Sequence, residues 1–291
     1  MGIFYGLMAY GMWGFFPLYW YYLLHVSSGE ILCHRVVWSL FFLSALLLVQ
    51  KRLLQFGRAI LSWKIVLIFT TSALLIGANW LIYIWAVVNH YVLDASFGYF
   101  MSPLLYTIFG VLFFKERLAL NQKISFVLAL TSVIYLSLIY GHFPWISLVL
   151  AVTFALYGVI RKGAPLDAIQ GLTMETLLLF FPAIIFLGYQ LKQAQMIFLH
   201  TNLQTDIFLL ASGVVTAIPL IAFAQAVRVL PLSTMGILQY LSPTLQFFLG
   251  LFLYDEPFPA NRFFGFLLIW ASAGIYFIRW KNTDRAAEAK Y

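Results

Sequence analysis

Apolar runs of about 20 residues, separated by short polar connections, recur along nearly the whole chain. Each is long enough to cross a hydrocarbon layer of roughly 30 Å as a helix. The pattern predicts ten such segments, near 3–24, 29–50, 64–86, 92–114, 123–140, 144–161, 168–190, 206–227, 233–254 and 262–280. Two connections are longer, QKRLLQFGRAILSWK after the second segment and QLKQAQMIFLHTNLQT after the seventh. Stretches of alternating polarity, the mark of a membrane β-barrel, are absent. The expected fold is an all-α polytopic membrane protein with no linker or soluble domain.

Composition strengthens this reading. Of 291 residues, 63% are hydrophobic and 9% charged, with a mean hydropathy of +0.93. A soluble fold of this size could not cover its surface with so few charges. The opening stretch MGIFYGLMAY lacks a basic leader region and runs straight into the first segment. A single cysteine, Cys33, excludes an intrachain disulfide and a multi-cysteine metal site.

The formal charge of +7 is explained by where the basic residues fall. Ten segments place both chain ends on one side. That side carries Lys51, Arg52, Arg58, Lys64, Lys115, Arg117, Lys123, Arg161, Lys162, Arg228, Arg279, Lys281, Arg285 and Lys290, 14 of the 17 Lys and Arg. The other side has Lys192 and Arg262, and Arg35 lies inside the second segment. Positive-inside bias puts both termini in the cytoplasm of a bacterial-type inner membrane. The basic excess orients the chain and meets anionic lipid, with no separate patch for nucleic acid.

One pattern occurs twice. SFGYFMSPLLYTIFGVLFFKERLALN from Ser96 and GILQYLSPTLQFFLGLFLYDEPFPAN from Gly236 share Ser-Pro, Gly, Glu and Asn at a constant offset of 140. With the topology above, the two segments run in opposite directions through the membrane. The expected organisation is an inverted repeat of five plus five helices, 3–140 and 144–280, followed by a cytoplasmic tail, 281–291. Such repeats are a transporter signature.

In the first copy Ser96, Tyr99, Pro103, Tyr106 and Gly110 share one helix face; Gly236, Gln239, Pro243, Gln246 and Gly250 do so in the second. Pro103 and Pro243 fall roughly 10–15 Å from either surface, near mid-membrane, where proline frees a carbonyl and permits a kink. Tyr99, Tyr106, Gln239 and Gln246 are expected to line a central binding cavity, since an amide in lipid needs a partner. Asn79, Trp80 and Tyr83 form a second polar face, with Tyr157 nearby. Gly110 and Gly250 read as packing residues, and Trp13, Trp20 and Trp145 as belt or packing residues. Glu116 and Glu256 read as helix-end anchors.

Ionisable residues inside the membrane carry the most weight. Arg35, roughly 7–8 Å inward of Glu30, either pairs with it, snorkels outward or meets a substrate anion. His34 adjoins it. Glu175 lies roughly 12 Å past Asp167, where a carboxylate needs a cation, a cavity or a proton; coupling and structural pairing both fit, and a place at or beside the cavity is expected.

The stretches EILCHRVVWS, NWLIYIWAVVNHYVLDASFGYFMSPL, FALYGVIRK, METLLL, VVTAIPLIAFAQAVRVLPLSTMGILQYLSPTLQF and LYDEP resemble the RarD permease family within the EamA-type drug/metabolite transporter superfamily. They extend over nearly the whole chain; Val88, where the family pattern has a polar residue, is a departure outside the proposed cavity. The resemblance implies a ten-helix inner-membrane carrier of small metabolites or drugs, usually an exporter, with cytoplasmic termini. An enzyme is disfavoured, because no carboxylate pair, nucleophile elbow or metal-spaced His/Cys cluster is present. No Walker-type loop is present, so any energy comes from an ion gradient or from the substrate's own gradient. An uncoupled channel-like facilitator and a non-transporting receptor or scaffold are the alternatives. No cofactor is implied. The partners are a mainly neutral or amphipathic small solute, the lipid bilayer and, with coupling, protons, for a monomer or homodimer.

Overall fold

The computed structural model describes residues 1–140, 143–253 and 260–278. Glu256, Arg279, Lys281, Arg285, Lys290 and the tail 281–291 lie outside the described residues. The order is α1 (Gly2–Gly14), α2 (Phe16–Tyr21), α3 (Ser28–Val49), α4 (Leu53–Ile60), α5 (Trp63–Val88), α6 (Val92–Phe114), α7 (Leu120–Tyr140), α8 (Trp145–Gly163), α9 (Ala168–Lys192), α10 (Leu203–Val229), α11 (Leu232–Gln239), α12 (Leu241–Leu253) and α13 (Ala260–Phe277). Among the described residues, eight stretches are long and apolar enough to cross a membrane, with α11 and α12 counted as one; α1, α2 and α13 are shorter.

Every expected segment is helical, but two are not single helices. The first breaks at Phe15 and the ninth at Tyr240. Pro17 and Pro243 follow the two breaks and have no N–H to return to the carbonyls of Trp13 and Gln239, whereas α6 runs as one helix through Pro103, the other position where a kink was expected. The connection after the second segment holds a further helix, α4, with Phe56 buried and Leu54 facing outward. Side chains start three of the long helices: Ser27 caps α3, Asp167 caps α9 and Asn202 caps α10.

Apolar side chains fill most of the interior and also face outward, while the buried polar residues are kept inside the bundle, away from lipid. Leu74, Leu138 and Ile185 face outward, whereas Ser39, Ser72, Asn79, Thr216, Gln239 and Gln246 are buried. Close approach rests on small residues. At Gly213 the backbone of Trp38 and Ser39 fills the space of a side chain, and Ser39 Oγ donates to the Gly213 carbonyl at 3.0 Å.

The offset of 140 runs through the helix boundaries. Ser28 and Ala168, Trp63 and Leu203, Val92 and Leu232, Leu120 and Ala260 each begin a helix, and each pair is 140 positions apart. Contacts are exchanged in the same register. Ser96 Oγ donates to the Pro243 carbonyl at 3.0 Å, and a Cβ at Gly236 would stand 3.0 Å from the Pro103 carbonyl. Ser125 Oγ donates to the Ser272 carbonyl at 2.9 Å, and Ser132 Oγ to that of Gly265 at 2.6 Å. Each helix of these pairs therefore packs on its own counterpart, α6 on α11 and α12, α7 on α13, and also α3 on α9.

Candidate functional site

A cavity lies where both broken segments meet the bundle centre. Its empty space is about 440 Å³ when the open mouth is counted, of which about 40 Å³ admits the centre of a water-sized molecule, so the cavity is narrow in this conformation. Its walls are Tyr10 and Trp13 from α1, Phe16 from α2, Arg35 from α3, Asn79, Trp80 and Tyr83 from α5, Tyr99 from α6, Phe154 from α8, Gln239 from α11, and Ser242 and Gln246 from α12.

The local sequence explains much of this wall. Pro17 frees the Trp13 carbonyl, and Gln246 Nε2 donates to that carbonyl at 3.0 Å. Gln246 Nε2 also lies 3.3 Å from Ser242 Oγ, one turn earlier, while its Oε1 is buried without a partner. Gln239, the last residue of α11, is 1% exposed and neither of its amide atoms has a partner. Buried amides are normally satisfied, so an idle one at a cavity wall marks where a polar ligand atom fits.

Asn79 is in the opposite condition. Its Nδ2 donates to the Leu150 carbonyl at 3.0 Å and to Thr153 Oγ1 at 2.9 Å, and its Oδ1 accepts from Tyr99 OH at 3.1 Å. It holds the Tyr99 ring against Tyr83 and Phe154, with centroids 5.7 and 6.0 Å away. Arg35 Nε donates to Thr216 Oγ1 at 2.9 Å.

The structure thus brings Asn79, Trp80, Tyr83, Tyr99, Gln239, Gln246 and Arg35 to one wall. It places the other expected site residues elsewhere. Tyr106 is packed against Gly158, with its hydroxyl on the Phe154 carbonyl at 3.2 Å. Tyr157 stacks on Phe223 and donates to Glu175 Oε2 at 3.2 Å. His34 Nδ1 accepts from Trp38 Nε1 at 3.0 Å, its ring 4.5 Å from that of Phe198. Pro103 and Pro243 stand at the crossing of α6 with α11 and α12 rather than on the wall.

Two charge expectations need correction, for Glu175 and Arg161, and one of the alternatives for Arg35 is ruled out. Glu175 is not beside the cavity: it pairs with Arg161 Nη1 at 3.5 Å and accepts from Ser72 Oγ at 2.5 Å. Arg161, expected at the cytoplasmic surface, is 1% exposed, because Glu175 compensates its charge inside the bundle. Arg35 does not pair with Glu30, whose Oε1 accepts the backbone N–H groups of Ile197 and Phe198 at 2.8 and 2.9 Å.

Trp13, read as a belt or packing residue, lines the cavity, as do Tyr10, Phe16, Phe154 and Ser242. The signal for Trp13 was present in Pro17 four residues later. Ser242 precedes Pro243 and is the repeat counterpart of Ser102. Nothing local marked Tyr10 or Phe154. Glu116 is an anchor as expected: its carboxylate accepts the N–H groups of Leu232 and Ser233 and so caps α11.

Comparison with known proteins gives the following. The profile of the EamA-like transporter family matches residues 1–138. Protein RarD of Streptomyces exfoliatus is 40% identical over 99% of this chain and 92% of its own. Protein RarD of Escherichia coli is 36% identical over 94% and 93%. The uncharacterized transporter YojE of Bacillus subtilis is 36% identical over 98% and 97%. A solved structure described only as "Crystal structure of protein" aligns with a TM-score of 0.68 at 15% identity, over 95% of this chain and 97% of that one, a likeness of fold alone.

Proposed function

The chain belongs to the RarD group of the EamA-like transporter family, and from that premise we propose that it is a secondary carrier for a small organic solute. The solute binds in the cavity between α1, α5, α6 and α12, and the direction of net transport is export. One observation carries this reading: the central cavity is walled by aromatic rings and by buried amide atoms of Gln239 and Gln246 that have no partner in the fold. Such groups favour an organic ligand with a flat apolar body and a polar end.

Residues 3–140 and 144–280 act as two inverted repeats, and alternating access arises as one half rocks against the other. Support comes from the contacts exchanged at an offset of 140 and from the two helix breaks beside the cavity. The inner membrane is the site, with cytoplasmic termini. Arg52 with Asp167, Arg161 with the Ala168 carbonyl and Arg228 with the Leu166 carbonyl gather at one end of the bundle, the side that positive-inside bias assigns to the cytoplasm. If protons drive the carrier, Glu175 is the residue of interest, and its ion pair with Arg161 has to open during the cycle.

The test is a metabolite comparison of cells that overexpress or lack the protein. The compound that changes is then followed in proteoliposomes, with and without a proton gradient. Wild type is expected to move it and Gln239→Ala to lose affinity. Unchanged flux in Gln239→Ala refutes the cavity assignment.

A further inference from the structure

The cavity carries a charge that nothing around it cancels. Arg35 is 2% exposed, yet the ion pairs among the described residues are Arg52–Asp167 and Arg161–Glu175. The partners of its guanidinium are neutral. Nε donates to Thr216, and Cζ lies 4.6, 5.0 and 6.0 Å from the ring centroids of Trp80, Trp20 and Phe16. Nη1 is buried with no hydrogen-bond partner. Aromatic faces and one hydroxyl offset only part of the penalty for taking a guanidinium out of water.

The repeat sharpens the contrast. Arg35 and Glu175 are 140 positions apart, at equivalent places on α3 and α9. The charge of Glu175 is neutralised inside the fold by Arg161, and that of Arg35 is not. The uncompensated one is the one on the cavity wall.

Resting on the carrier reading above, we propose that the cavity takes a small organic monoanion, a carboxylate on a flat apolar body, with Arg35 as its counter-ion. A guanidinium presents a fork of donors that matches a carboxylate. Among the described residues Arg35 is the sole basic one on the wall, so one negative charge is balanced and a dianion or nucleotide is not. Trp13, Trp80, Tyr83, Tyr99 and Phe154 offer ring faces to the body of the solute, which a simple inorganic anion would leave unmatched. The idle amide of Gln239 serves a second polar atom.

The test is isothermal titration of the purified full chain in detergent with four probes: 3-phenylpropionate, 3-phenylpropionamide, 2-phenylethylamine and acetate. The acid is expected to bind, and the isosteric amide to bind about 10- to 100-fold more weakly, the span of one charge-assisted hydrogen bond. The amine and acetate bind weakly or not at all. Arg35→Gln removes the preference for the acid over the amide, while Arg35→Lys retains part of it. The acid–amide comparison needs no variant, so misfolding of Arg35→Gln does not shield the proposal. Equal binding of acid and amide, preference for the amine, retention of the preference in Arg35→Gln, or no binding by any probe overturns it. If acid and amide bind equally and Gln239→Ala abolishes that binding, the cavity stands and the anion assignment alone falls.

Discussion

Removal of Glu175 is expected to destabilise the protein more than removal of its partner. Arg161 and Glu175 are 1% and 0% exposed, and their 3.5 Å contact joins α8 to α9. In Glu175→Leu the guanidinium retains the Ala168 carbonyl at 3.1 Å and the Phe69 ring at 5.7 Å, while its Nε already has no partner. A buried charge left in that condition costs about 3–5 kcal/mol, or roughly two to four decades in the folded-to-unfolded ratio. In Arg161→Leu the carboxylate still accepts from Ser72 and Tyr157, so the loss is expected to be smaller. The double variant removes both charges and leaves apolar volume, and is expected to recover most of the stability. The assay is built into the chain: Cys33 is the single thiol and is buried, so a maleimide that fluoresces on reaction reports unfolding on heating. Additive losses in the double variant, or a Glu175→Leu protein that melts with wild type, would refute the argument that this pair is a compensated unit.

Gly171→Ala is expected to lower the melting temperature by the same route, since a methyl group there would overlap Arg161 Nη1 and push it off Glu175; a neutral effect would show that Arg161 has another place to go. Gly213→Ala is expected to cost about 1–3 kcal/mol, because the atoms that fill its space belong to the backbone of α3 and cannot rotate away; wild-type thermal stability would refute the close approach. In a Cys33→Ser background, Ser125→Cys with Ser272→Cys is expected to cross-link under mild oxidation, since the two hydroxyl oxygens are 3.1 Å apart; absence of the intramolecular bond counts against the α7–α13 pairing. A reporter fused after Tyr291 is expected in the cytoplasm and one inserted near Gln195 outside; the reverse result overturns the orientation and its positive-inside argument.

Much of this protein is written in local sequence. Lipid admits only backbones that satisfy their own hydrogen bonds, so a run of about 20 apolar residues leaves the chain no choice but helix, and an all-helical membrane fold follows from periodicity and length. The helix-face spacing that grouped Tyr99 with its neighbours, and Gln239 with Gln246, is likewise local, and six of the eight expected wall residues, Asn79, Trp80, Tyr83, Tyr99, Gln239 and Gln246, line the cavity. The tertiary structure decided which member of each face meets the cavity and which is spent on packing. Tyr106 and Tyr99 share one stripe, yet the first is absorbed by Gly158 and Phe154, a different helix whose approach no window of sequence contains. The charges were the least legible, for the same reason. Burial of Arg161 depends on a carboxylate 14 positions away on another helix, and the Gln246 bond to the Trp13 carbonyl joins residues 233 positions apart. A buried charge or amide is defined by what compensates it, and compensation comes from whichever helix packs alongside, not from the neighbours along the chain.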